Sequence, residues 1–159
     1  MIRVGFGFDA HAVDANRPLV LGGVTIPEGP GLAGHSDADV LSHAVADALL
    51  GAAGLGDLGG RFPNDERWRG ASSLVILSET AGLLRASDWT IGNIDSTVVA
   101  AAPKLAPYGD QIVRMTAEAL DVGIDVVSVK ATTTDGLGFM GHGEGIAAYA
   151  VALISRVET

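Results

Sequence analysis

The sequence predicts an α+β fold, a mixed β-sheet with helices packed on one face. Three observations predict it. Residues 1–9 alternate, with Ile2, Val4, Phe6 and Phe8 on one side and Arg3, Gly5, Gly7 and Asp9 on the other, which is the period of a strand. Residues 37–53 repeat apolar side chains at helical spacing through Leu41, Ala44, Val45, Ala48 and Leu49. β-branched runs at 90–101 and 125–134 then alternate loosely with further helical segments, after an early hairpin.

In chain order, the hairpin falls at 18–26, two short strand pieces pivoting on Gly22 and Gly23. A Gly/Pro-rich loop follows. The 37–53 helix takes its cap from Ser36 or Asp37, with acidic residues in its first turn. Residues 61–70 read as a polar loop, and 71–86 as a helix through Leu74, Leu77, Ala81 and Leu84. Pro103 stops the 90–101 strand, and Pro107 suits the first turn of a helix over 107–121. The glycines of 136–145 exclude a regular element there, and 146–155 is the last strand. No linker, repeat or low-complexity tract interrupts 1–159, so one domain is expected. The last strand is apolar on both faces, and a sheet covered by helices on one side leaves the other open. A homo-oligomer is the expected cover.

Composition narrows the chemistry. The net charge of −9 argues against a nucleic-acid or anionic-membrane partner. An anionic ligand would need a metal, a helix N-terminus or a few placed cations. The chain has no cysteine, so metal ligands must be His, Asp or Glu and no thiol nucleophile exists. No basic stretch followed by an apolar run opens the chain, and a cytoplasmic location is expected.

The four histidines, His11, His35, His43 and His142, each have Gly, Asp or Ser close by. Asp9 and His11 project to the same side of the first strand. They suit Zn2+ or another divalent transition metal such as Mn2+ or Fe2+, and equally a strand-end turn. His43 shares a helix face with Asp39 and Asp47, either of which could accept its second N–H. The same stripe also fits a solvated face. Together Asp9, His11 and His43 give three ligands and one open position. His35, Ser36 and Asp37 stand before that helix, where they can serve an anion or simply cap. Lys130, Thr132, Thr133, Thr134 and Asp135 suit phosphate and Mg2+, while a threonine run also follows from strand propensity alone.

The stretches GFGFDAH (5–11), GHSDADVLSHAVADALLGAAGLGDLG (34–59), GNID (92–95), APK (102–104), KATTTDGLGF (130–139) and GEGIAA (143–148) resemble the 2-C-methyl-D-erythritol 2,4-cyclodiphosphate synthase family. The resemblance runs essentially end to end. It implies a homotrimer with the sheets facing the threefold axis and active sites between subunits. It implies an intramolecular phosphoryl transfer on a cytidine diphosphate substrate, releasing CMP.

Residue by residue, the resemblance implies that Asp9, His11 and His43 hold Zn2+. His35 and Thr133 stabilise the transition state. Asp135, where the family usually has Glu, holds a Mg2+ or Mn2+ bridging substrate phosphates. Substrate contacts are implied for Asp9, His11, His35, Ser36, Asp57, Leu58, Gly59 and Phe62. The cytidine pocket is implied to consist of Ala100, Ala101, Ala102, Pro103, Lys104, Leu105 and Ala106. Thr132, Thr133, Thr134 and Asp135 meet the cytidyl phosphates, and Phe139 and His142 complete the set. His142 replaces an Arg that in the family lies near the threefold axis with the acid matching Glu144, where an isoprenoid diphosphate binds. Asn64, Asp65 and Glu66 depart from the usual loop after Phe62. Two other readings are a trimeric scaffold that binds a nucleotide or isoprenoid diphosphate without turnover, and a metal-dependent phosphohydrolase.

Overall fold

A computed structural model describes residues 1–156 of the chain. In order, the elements are β1 (Ile2–Asp14), β2 (Leu19–Leu21), β3 (Val24–Ile26), β4 (Gly31–Leu32), α1 (Val40–Ala53), α2 (Leu58–Arg61), α3 (Ser73–Ala86), β5 (Thr90–Val99), α4 (Gly109–Leu120), β6 (Val127–Thr132), α5 (Gly138–Gly141) and β7 (Gly145–Ser155). The main sheet has the order β4-β1-β7-β5-β6, and β2 and β3 form a separate hairpin. Among the described residues only β5 and β6 run parallel, with α4 in the crossover between them. The sheet is therefore mixed, as the sequence predicts. None of the described helices is long and apolar enough to cross a membrane.

The first strand outlasts its hydropathy pattern. Pairing with β7 runs from Ile2 opposite Ser155 to Ala12 opposite Gly145. Asp9 and His11 thus lie inside a strand rather than at its end. The alternation stops at Asp9 because polar side chains begin there, but the backbone ladder continues. A short helical turn, α5, also forms within the glycine-rich 136–145 segment, where a loop is expected.

Helix α1 lies across β1 and β7, α3 packs on α1, and α4 packs on α3 and β6. The alternation of β1 sets how close α1 can come. A Cβ on Gly5 would lie 1.9 Å from the carbonyl oxygen of Ala48, and one on Gly7 1.9 Å from that of Ala44. Only glycine permits this backbone-to-backbone contact. Helix α1 is buried nearly all round, Leu41, Ala44, Val45, Ala48 and Leu49 included, because α3 covers its outer side.

The cap of α1 corrects the sequence reading. The N-cap is Asp39, whose side chain accepts from the Ser42 N–H, and no acidic residue lies in the first turn. Asp39 is fully buried and also accepts from the Gly22 and Gly23 N–H groups and the Ser42 hydroxyl. Gly22 and Gly23 have φ of 56° and 75°, the left-handed pair of a tight hairpin turn. One carboxylate therefore ties the hairpin tip to the start of α1.

The opposite sheet face is apolar and uncovered on the single chain. Ile2, Val4, Phe6 and Phe8 of β1 point outward beside Tyr149 and Val151 of β7, with Phe6 63% exposed and Ile2 68%. Phe6 and Phe8 both pack against Tyr149, at centroid distances of 6.2 and 5.0 Å. Each such large side chain withdrawn from water would contribute roughly 1.5–3 kcal/mol.

Candidate metal centre and nucleotide cavity

Beyond the Gly5 and Gly7 contacts, the same face of β1 presents Asp9 and His11 to the first turns of α1, where His43 stands. The donor atoms of Asp9, His11 and His43 lie within 4.8 Å of one another. Asp9 Oδ2 is 3.0 Å from His11 Nε2 and 3.0 Å from His43 Nδ1. Burial pushes the Asp9 carboxyl up, but the two imidazoles outweigh it and hold the group well below the usual carboxylate range. The Asp9 carboxylate in turn raises the His11 imidazole above its ordinary value, against the opposing effect of burial.

The donor set fits a divalent cation. His11 Nε2 is buried with no hydrogen-bond partner, although it lies 3.0 Å from Asp9 Oδ2. A buried nitrogen without a hydrogen bond, beside a carboxylate, suits the donor set of a divalent cation. His43 is 7% exposed. Its Nε2 meets Ser73 Oγ at 3.0 Å and Ser36 Oγ at 3.2 Å.

Those two hydroxyls correct the expectation that Asp39 or Asp47 receives the second N–H of His43. Asp39 is committed to the hairpin, and Asp47 accepts from the Leu58 N–H at 3.0 Å. The helix face is also buried rather than solvated. Asp37 is not a cap: it accepts from both the N–H and the hydroxyl of Ser73 at the start of α3. Three oxygen-bearing residues, Ser36, Asp37 and Asp39, compete for the cap role within four positions, and spacing alone does not choose among them.

A cavity of about 230 Å³ opens over this centre, lined by Asp9, His11, His35, Ser36, His43, Leu58, Gly59 and Phe62, with Asn64, Trp68 and Ile76. His35 Nε2 is 2.6 Å from the Asp65 carbonyl oxygen, which fixes the ring. Asp57 caps α2 through the Gly60 N–H at 2.7 Å, and so shapes the wall without lining it. Phe62 and Trp68 are buried edge to face, 4.9 Å apart. The 61–70 loop is thus anchored by an aromatic pair inside a polar run. Arg17 donates to the Gly34 and Ser36 carbonyls and braces the loop carrying His35. Nothing in the sequence around Arg17, Ser73 or Trp68 separates them from ordinary surface, cap or core residues.

A second cavity of about 240 Å³ is lined by Ala100, Ala101, Pro103, Lys104, Leu105, Ala106, Ala131, Thr132 and Thr133, and shares no lining residue with the first. The Ala102–Pro103 peptide is cis, and Ala102 itself is not part of this lining. Thr133 Oγ1 lies 3.3 Å from Asp135 Oδ1 and accepts from the Asp135 N–H at 3.2 Å. Asp135 has φ of 52°, a left-handed conformation that Asp tolerates better than most side chains. Thr134 donates to the Leu137 carbonyl. Phe139 packs against Gly145. His142 is exposed, with Nδ1 3.8 Å from Glu144 Oε1.

A mixed sheet whose strand and covering helix converge a carboxylate and two imidazoles defines a class, an α+β protein with a centre fitted to a divalent cation. The chain belongs to the YgbB family, which it matches over residues 2–155. It is 57% identical over 156 residues to the 2-C-methyl-D-erythritol 2,4-cyclodiphosphate synthase of Pelotomaculum thermopropionicum, covering 98% of this chain and 96% of that one. It is 55% identical over 159 residues to the protein of the same name from Methylobacillus flagellatus, covering 99% of each. Among solved structures, it matches the bifunctional IspDF of Campylobacter jejuni with a TM-score of 0.95 and 40% identity, over 99% of this chain but 43% of that longer one. It matches IspF of Plasmodium falciparum, a CDP complex, with a TM-score of 0.85 and 31% identity, over 99% and 97%.

Proposed function

We propose that the chain is a cyclising phosphorus–oxygen lyase of the non-mevalonate route to isoprenoid precursors. It converts 4-diphosphocytidyl-2-C-methyl-D-erythritol 2-phosphate into the 2,4-cyclodiphosphate and CMP. The observation that carries this reading is the convergence of the Asp9, His11 and His43 donor atoms within 4.8 Å, in a chain of this family. An oxygen of the 2-phosphate bonds to the β-phosphorus. The bond from that phosphorus to the bridging oxygen breaks, and its electron pair leaves on CMP. The step balances without water, oxidant or protein nucleophile, in keeping with a chain that has no cysteine.

Asp9, His11 and His43 would hold Zn2+ or another divalent transition metal, which when bound supplies positive charge to the diphosphate oxygens. A protein of net charge −9 has little other cationic charge to offer a polyanion. The protein's own part is to position the reacting groups. His35, fixed on the Asp65 carbonyl, faces the same cavity and stabilises charge there. Asp57, Leu58, Gly59 and Phe62 shape the wall for the methylerythritol. Lys104 and the small residues around it receive the cytidine. Thr133 orients phosphate oxygens, and Asp135 would hold Mg2+ or Mn2+, which would supply further positive charge.

The two cavities share no residue, and an apolar sheet face stands uncovered. A homotrimer accounts for both, with the sheets facing the threefold axis and each site combining the metal cavity of one copy with the nucleotide cavity of the next. His142 and Glu144 would then flank an axial site for an isoprenoid diphosphate.

The test is 31P NMR of the purified protein with this substrate. Equimolar CMP and cyclic diphosphate are expected, lost on chelation and restored by Zn2+. A linear phosphate product would instead indicate a phosphohydrolase. Retained nucleotide without turnover would indicate a binding scaffold.

A further inference from the structure

The His43 ring has two ends, and only one faces Asp9 and His11. Nδ1 lies 3.0 Å from Asp9 Oδ2, while Nε2 meets Ser73 Oγ at 3.0 Å. Ser73 is fully buried at the first position of α3. Asp37 accepts from its backbone N–H at 2.7 Å and from its hydroxyl. A serine hydroxyl carries one proton, and a carboxylate can only accept. With that proton given to Asp37, Ser73 Oγ is left as an acceptor toward the imidazole. That acceptor favours the ring proton on Nε2, which leaves Nδ1 with its lone pair pointing at the cluster. Ser36 Oγ, 3.2 Å from the same Nε2, has no such commitment: it accepts only a long bond from the Ala38 N–H.

We propose that Ser73, held by Asp37, is the positioning residue of the metal centre, fixing the His43 ring in the tautomer and orientation that present Nδ1 to the cation. The proposal rests on the reading of Asp9, His11 and His43 as ligands. A ligand imidazole usually gives its second N–H to a carboxylate or carbonyl. Here a serine stands between the ring and the carboxylate, and the same carboxylate bonds the first residue of α3. The orientation of one ligand is therefore tied to the seating of α3 against α1. Replacing Asp37 by Asn would reverse the chain of donors. The amide nitrogen would donate to Ser73 Oγ, the serine proton would turn to Nε2, and the ring proton would move to Nδ1.

The test compares the wild-type chain, S73A and D37N by Zn2+ competition against a chromophoric chelator and by the visible absorption of the Co2+-substituted proteins. Melting of the metal-free proteins serves as the folding control. Both variants are expected to bind Zn2+ about 10–100-fold more weakly, with altered Co2+ bands. A folded variant that binds Zn2+ within about threefold of wild type, and with unchanged Co2+ bands, overturns the proposal. If neither variant folds, NMR of the Zn2+-loaded wild-type chain decides. A slowly exchanging His43 Nε2–H supports the bond to Ser73, and a freely exchanging one overturns it. A wild-type chain that binds no divalent ion overturns the ligand assignment itself, and this proposal with it.

Discussion

Oδ2 of Asp9 and Nδ1 of His43 lie 3.0 Å apart, although one residue belongs to the second-ranked strand of the sheet and the other to the helix laid across it. With the ring proton on Nε2, as proposed above, both atoms are acceptors, and a cation would reconcile them. His43→Ala is expected to lower Zn2+ affinity and CMP release by more than about 100-fold, beyond the usual effect of losing an outer partner. Elemental analysis of bound zinc per chain and the rate of CMP formation check this. CMP formed at the wild-type rate by metal-stripped protein would contradict the role given to the centre.

Protons compete for His11. The Asp9 carboxylate raises this imidazole above its usual 6.5. In the metal-free protein the pair therefore stabilises the fold fully below pH 6.5, and that contribution fades as pH climbs through the raised value. Asp9 behaves oppositely. Its net shift is below 3.8, so its contribution is present above that pH and is lost only in stronger acid. Since His11 must be neutral to ligate, Zn2+ affinity is expected to rise from about pH 6 to about pH 8. Metal-free stability should decline slightly over the same window. Chelator competition and urea midpoints across this range check both, and a flat affinity profile would contradict the assignment.

Asp39→Ala removes a helix cap and strands the Gly22 and Gly23 N–H groups inside the protein. The cap alone is worth about 0.5–2 kcal/mol, and each unpaired buried donor costs about 1–3 kcal/mol. A loss of at least about 2 kcal/mol is expected in denaturant unfolding. A loss confined to a few tenths would mean that water replaces the carboxylate.

Phe6→Glu puts charge on the exposed sheet face without touching either cavity. If that face is the contact between copies, light scattering should show the wild type as three chains and the variant as one. Activity should fall with the assembly while Zn2+ binding per chain persists. A variant that keeps the wild-type mass would exclude this face from the assembly.

Periodicity made the elements legible, but partners were harder to read. The alternation of 1–9 marks a strand, yet letters do not say that the glycine side meets a helix while the phenylalanine side is bare. That depends on α1 being able to approach Gly5 and Gly7, a tertiary event. The candidate donors that converge were legible because Asp, His and His are few and sit beside turn residues in a chain without cysteine. Ser73 was not, since a Ser-Ser pair before a helix is fully accounted for by capping at Ser72. Asp39 was read as a candidate partner for His43 because spacing puts the two on one face. The competing demand of two glycine amides, seventeen and sixteen residues away, took it elsewhere.

The contacts at Gly5 and Gly7 have a further result. Side-chain packing leaves room for adjustment, because rotamers can change and gaps can be refilled. Main chain lying on main chain does not. The separation between the strand's donors and the helix's donor is set by two glycines acting as a gauge block. Sequence drift in the surrounding aliphatic core can then alter how firmly the molecule holds together while leaving the bite of the candidate metal centre the same width.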